Sequence, residues 1–214
     1  MLQRKVYEDR ASWLAGRSVS IGASEAAAAI GLSPFESQYE LWQRKTGQRE
    51  SKDLSGNAAV EYGNRLEPVC RAMFQAEHPE LTVEYHQFDV LYQSERPWMT
   101  ATLDGELTDA DGRKGILEIK TSSVGKKTQW DAWRDAIPTH YMCQVCHQLL
   151  VTGWDYAYLY AKLVKLNGDS EIRTYLIKAE EHKEDMEWLL SQETKFWNEY
   201  ILQQKAPPNV LPSL

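Results

Sequence analysis

The sequence predicts an α/β protein with a central mixed β-sheet flanked by helices. Segments of helical period with caps fill the first third of the chain. Between about residues 82 and 121 the pattern changes to strand-like runs separated by turns. A helical stretch then precedes two more strands, and a helix closes the chain. Such an order of helices, meander, helix and strands suits a sheet with helices packed on it.

Residues 4–15 read as a short helix. Ser24 opens an Ala-rich run over 24–30, with Ser as N-cap and Gly31 and Pro34 as the stop. Residues 37–46 form a helix that closes at Gly47, and the polar residues 48–56 form a loop. A longer helix spans 57–77 and ends before Pro79. Residues 82–92, 98–107 and 115–121 read as three strands, with 109–112 as a hairpin turn. Helices follow at 128–135 and 139–151, the second opened by Pro138. Strands 155–164 and 171–178 make a hairpin across Asn167-Gly168-Asp169. Tyr156, Tyr158 and Tyr160 alternate on one face, a stripe suited to covered-sheet packing. Residues 179–203 form a last amphipathic helix. The 214 residues suit a single domain over 1–203, with 204–214 as a tail that is extended or docked on a neighbour.

Hydrophobic content of 43% and charged content of 26% are those of an ordinary globular protein. No apolar run is long enough to span a membrane, and the first residues lead into charged sequence. A cytoplasmic chain with reduced cysteines is expected. The net charge of −7 is unevenly spread: residues 180–193 carry six acids against one Lys, whereas residues 1–65 carry nine Lys or Arg against eight acids. Charge therefore neither supports nor excludes a nucleic-acid partner.

Cys143-Gln144-Val145-Cys146-His147 spells a haem-attachment pattern, but inside a predicted helix. Cys70 is the one further cysteine, too few for a four-ligand zinc site or an iron–sulfur cluster. Small buried thiols are the expected role.

The chemistry is carried by Asp104 and the strand segment Glu118-Ile119-Lys120. Strand alternation turns Glu118 and Lys120 to the same side. On its own the triplet reads as a solvated sheet face with a weak ion pair. With Asp104 on a neighbouring strand, two carboxylates meet beside one lysine. Hard oxygen ligands of that kind hold Mg2+, and a lysine can position water, the equipment of metal-assisted phosphodiester hydrolysis.

Five segments in order resemble one family: Arg17-Ser18-Val19-Ser20-Ile21-Gly22-Ala23-Ser24-Glu25, Tyr62-Gly63-Asn64-Arg65-Leu66-Glu67, Leu103-Asp104-Gly105, Leu117-Glu118-Ile119-Lys120 and Tyr141-Met142-Cys143-Gln144-Val145. The chain resembles the bacteriophage-lambda-type alkaline exonucleases, or YqaJ-type viral recombinases, of the PD-(D/E)XK nuclease superfamily. The resemblance runs from about Arg17 to Leu163. It implies a restriction-endonuclease-like core. Leu103 replaces the proline of the superfamily name, a residue that shapes backbone and carries no chemistry.

The resemblance implies roles residue by residue. Asp104, Glu118 and the Ile119 carbonyl match metal ligands, for two Mg2+ ions with Mn2+ able to substitute. Lys120 matches the lysine on the nucleophilic water, and Glu67 a third acid near the metals. Tyr141 and Gln144 match a helix that closes the site. Arg17 and Ser24 match residues that hold a 5′-terminal phosphate, and Val60 a wedge between the strands of the duplex. Family members form homotrimeric rings around DNA, which would make Lys126, Lys127 and Arg134 channel residues. The activity implied is 5′→3′ digestion of linear double-stranded DNA ends, leaving 3′ overhangs for a single-strand-annealing recombinase. An endonuclease on the same fold, and a non-catalytic DNA-binding or partner-binding module, are the alternatives.

Overall fold

The computed structural model describes residues 1–50, 56–134 and 136–209. Parts of the expected 48–56 loop and of the 204–214 tail, and the last residue of the 128–135 helix, therefore lie outside the described residues. In chain order the elements are β1 (Leu2–Val6), α1 (Arg10–Ser18), β2 (Ile21–Gly22), α2 (Ala26–Ala29), α3 (Gln38–Lys45) and α4 (Ala58–Glu77). Then come β3 (Thr82–Glu84), β4 (Asp89–Gln93), β5 (Arg96–Ala101), β6 (Gly105–Thr108) and β7 (Lys114–Val124). The remainder is α5 (Lys127–Asp131), α6 (Thr139–Thr152), β8 (Tyr156–Lys165), β9 (Ser170–Lys178) and α7 (Lys183–Lys195).

The mixed sheet flanked by helices is present, in the order β3-β6-β7-β8-β9. Its one parallel pair is β7–β8, and α6 lies in the connection between them. A second, four-stranded sheet, β1-β4-β5-β2, accompanies it. The second sheet corrects the meander. The expected strand 82–92 is two strands in different sheets, separated where Phe88 adopts a positive φ of 58°. The expected strand 98–107 likewise divides between β5 and β6. Residues 102–104 carry the chain from one sheet to the other, and nothing in the local alternation marks that break.

The helix expected over 4–15 begins later. Residues 2–6 pair with β4, where Arg4 meets the buried acids Asp89 and Glu106. Asp9 caps α1, accepting the Ser12 N–H at 2.8 Å. Tertiary pairing overrides helix propensity here. Ser24 is also not an N-cap. It lies inside a single 3-10 turn, Ala23–Glu25, and Glu25 instead accepts the Gly22 N–H at 2.8 Å. The segment 179–203 is not one continuous helix. A 3-10 turn precedes α7 and a π-helical stretch, Phe196–Ile201, follows it.

The core lies on both faces of the five-stranded sheet. Phe74 and Cys70 of α4 pack on Leu117, Ile119, Tyr156 and Tyr160, so the tyrosine stripe is packing, as expected. On the other face α6 is enclosed by the two sheets, α2 and α7. Eight of its fourteen residues are buried, which is the pattern of an interior helix. All three cysteines are free and buried. Burial pushes the Cys143 thiol up to about 11 and that of Cys146 up to about 12, the behaviour of inert packing thiols.

Candidate active site

The site begins where β6 leaves β7. The last paired residues are Gly105 and Leu117. Beyond them the chain turns through Asp104 towards the other sheet, and β7 continues without a partner on that edge. Ile119 would have a free N–H there, and Asp104 Oδ2 accepts it at 2.7 Å. Within a strand the N–H and C=O of one residue share an edge, so the Ile119 carbonyl leaves β7 on the Asp104 side.

Alternation along β7 sends Leu117 and Ile119 into the core under α4. Glu118 and Lys120 face the other way. Lys120 Nζ stands 2.6 Å from Glu118 Oε1. Helix α6 approaches from that side. Gln144 donates to Glu118 Oε1 at 2.6 Å, and Gln148 to Oε2 at 2.5 Å. Both oxygens of a nearly buried carboxylate are thereby fixed. Between the two glutamines, buried His147 ties α6 to Glu193 of α7 at 2.8 Å and to the Thr100 carbonyl of β5 at 3.0 Å.

Helix α4 supplies Glu67, which accepts from Arg71 at 2.6 Å. Arg71 also donates to the Asp104 carbonyl at 2.5 Å, and its guanidinium lies 3.7 Å over the Tyr85 ring. The acids thus converge on Lys120 and Arg71. Burial pushes the Asp104 carboxyl well above the usual range, and repulsion from Glu118 and Glu67 adds to it. Glu67 is raised too, by burial and by Glu118 against the pull of Arg71. Lys120 is raised: burial opposes its charge, but Glu118 and Asp104 outweigh that.

A cleft of about 470 Å3 joins these groups to Arg17, Ser24 and Val60. Arg17 sits in the last turn of α1 with its guanidinium 4.5 Å over the Trp13 ring. Among the described residues Arg17 has no side-chain hydrogen-bond acceptor and no ion-pair partner within bonding distance. Burial lowers its pKa, Glu25 opposing. A largely enclosed cation without an acceptor is a site for an anion.

The cleft therefore gathers Arg17, Ser24, Val60, Glu67, Asp104, Glu118, Ile119, Lys120 and Gln144. Tyr141 stands beside it, its ring 5.2 Å from Lys120 Nζ and packed on Trp133. Lys126, Lys127 and Arg134 are exposed and do not line it. Arg134 pairs with Asp131 at 2.7 Å. The sequence reading missed Gln148, Arg71 and Trp13. Each lies four residues from a predicted residue on the same helix, so helical spacing from Gln144, Glu67 and Arg17 was the available signal.

Asp104, Glu118 and the Ile119 carbonyl are all hard oxygen donors, the set a divalent cation takes. The raised Asp104 and Glu67 carboxyls add a physical reason, since a cation would relieve their repulsion. Elsewhere among the described residues, Glu84, His86 and Glu106 form an acid–histidine group whose ligand atoms lie within 4.8 Å of one another. Glu106 is already engaged by Arg4.

This geometry and topology define a restriction-endonuclease-like α/β fold, and solved structures share it. The alkaline exonuclease LHK-Exo of Laribacter hongkongensis superposes with a TM-score of 0.58 at 18% identity, over 91% of this chain and 97% of its own. The same exonuclease in complex with dAMP gives 0.58 at 19%, with the same coverage. A phage-related exonuclease of Haemophilus somnus gives 0.54 at 16%, over 87% and 96%. The chain belongs to the YqaJ-like viral recombinase domain family, which it matches over residues 12–155. It is 30% identical to the protein YqaJ of Bacillus subtilis (strain 168) over 207 residues, 97% of this chain and 61% of that relative. It thus spans less than two thirds of YqaJ. No helix among the described residues is long and apolar enough to cross a membrane.

Proposed function

We propose that this chain is a Mg2+-dependent exonuclease that digests linear double-stranded DNA from its 5′ ends. One observation carries the reading: a carboxylate–lysine cluster shares a single cleft with an arginine that has no acceptor among the described residues. Its fold-mates being named exonucleases supports the same reading.

Asp104, Glu118 and the Ile119 carbonyl would hold the metal. When bound, Mg2+ supplies Lewis-acid charge for the phosphoryl oxygens and lowers the pKa of water. The chain's own residues do the positioning. Gln144 and Gln148 fix the Glu118 carboxylate, and the Ile119 N–H fixes Asp104. Lys120 stays protonated beside Glu118 and orients the attacking water by hydrogen bonding. Arg17 pairs with the terminal 5′-phosphate, and the Ser24 hydroxyl adds a donor. Val60 meets the end of the duplex. The product is a strand with a 3′ overhang, the substrate of a single-strand-annealing recombinase. A homotrimeric ring would place Lys126, Lys127 and Arg134 along the DNA path.

The test is digestion of linear duplex labelled separately at each 5′ and 3′ end, with circular DNA alongside. Release from 5′ ends only, dependent on Mg2+, is expected. Cleavage of circular DNA would make the chain an endonuclease. Absence of any cleavage with retained duplex binding would make it a binding module. Sedimentation that finds only monomer would remove the ring.

A further inference from the structure

Gly63 is the one glycine that the described residues do not explain. Of the twelve glycines, six adopt positive φ, where other residues are strained. In five others a Cβ would meet a neighbouring side chain within 4 Å. Among the described residues a Cβ at Gly63 would meet nothing within 4 Å, and φ is ordinary. Yet Gly63 lies inside the 20-residue helix α4, where glycine is the poorest residue after proline. An alanine there would clash with none of the described residues and would favour the helix. Gly63 also lines the cleft. The remaining reason for a bare backbone is the close approach of a ligand.

The neighbours say which part of a ligand comes close. Val60 is one turn before Gly63 and Glu67 one turn after it, all on the cleft face. Arg17 and Ser24 line the same cleft, as do Asp104, Glu118 and Lys120. The wall at Ala59, Val60 and Gly63 is uncharged. A nucleic-acid chain that sets phosphates against the charged groups of this cleft has its uncharged sugar and base left for the uncharged wall. We propose that the nucleoside of the end nucleotide packs directly on the α4 backbone at Gly63. Gly63 is then a specificity-determining contact that sets how closely the duplex end seats. This rests on the nuclease reading above and names the substrate group at that wall.

The test separates fold from binding. Gly63→Ala and Gly63→Val are compared with the parent by thermal melting. In a Lys120→Ala background, affinity for a 5′-phosphorylated duplex is read by fluorescence anisotropy with Mg2+. The Ala variant is expected to melt about 2–4 °C higher, as a helix glycine removed at no contact cost. Its duplex affinity should fall by roughly tenfold, since displacement of about 1 Å at such a site is costly, and that of Gly63→Val should fall further. With Lys120 intact, KM for duplex ends should rise more than kcat falls. A thermal gain with unchanged duplex affinity in both variants overturns the inference and leaves the nuclease reading standing. Failure of the Lys120→Ala protein itself to bind duplex counts against the nuclease reading, and the inference falls with it.

Discussion

At the carboxylate end of the cleft each acid is already held by the protein. Glu118 accepts from two glutamines and pairs with Lys120, Asp104 accepts a backbone N–H, and Glu67 is tied to Arg71. At the arginine end the opposite holds: Arg17 stacks on Trp13 and has no acceptor among the described residues. The first end is rigid and over-charged, the second open and unsatisfied. Both states cost folding free energy that a ligand would return. A cation relieves the repulsion at one end, and an anion completes the hydrogen bonds at the other. Pre-organised acids suit chemistry on a phosphate, whereas an unfilled guanidinium suits recognition of one.

The largest effect should come from the carboxylate end. Asp104→Ala or Lys120→Ala should reduce DNA hydrolysis by roughly a thousandfold or more, about 4 kcal/mol of barrier, with circular dichroism unchanged. Near-normal rates in either variant would remove the site assignment. Next is Arg17→Ala. It should slow digestion of 5′-phosphorylated ends by roughly 10–150-fold, the value of a charged hydrogen bond, and leave 5′-hydroxyl ends nearly unaffected. Equal losses on both ends would mean that Arg17 is structural.

Gln148→Leu tests whether the rigidity of the carboxylate end matters. Loss of one donor to Glu118 should raise the Mg2+ midpoint by about 10–100-fold, the usual effect of removing a partner behind a metal ligand. An unchanged midpoint with a lower melting temperature would make Gln148 a packing residue. The smallest effect is thermodynamic and has the opposite sign. The Asp104 carboxyl is raised in the folded chain from its ordinary 3.8. Above that pH the folded protein binds more protons than the unfolded one. Without metal its stability therefore falls as pH rises through the ordinary carboxylate range towards the folded-state value. Asp104→Asn should melt higher than the parent at neutral pH without metal, and the gain should shrink in acid. A lower melting temperature at all pH values would show that the Asp104 charge is not strained.

Much of this was readable from residue spacing. A period of two places Glu118 and Lys120 on one side of a strand wherever that strand lies, because backbone geometry alone sets it. Helical spacing likewise puts Gln144 and Gln148, or Glu67 and Arg71, on shared faces. The segmentation of 82–92 and 98–107 was not readable. Tyr85 and Asp104 sit in runs whose local pattern is strand-like throughout, and only long-range pairing decides that each run changes sheets. That change creates the edge on which the candidate site is built. It exposes the Ile119 N–H, brings Asp104 to it, and places Tyr85 over Arg71.

Residue spacing supplied the ingredients: Glu118 and Lys120 on one side of a strand, Asp104 ahead of them, and the five segments that place the chain in its family. The tertiary structure decided what was free and what was held. Among the described residues it left Arg17 without an acceptor, occupied both oxygens of Glu118, and left the Gly63 backbone bare. The physical reason is that composition and period are local properties, whereas burial and hydrogen-bond satisfaction depend on which distant segments meet.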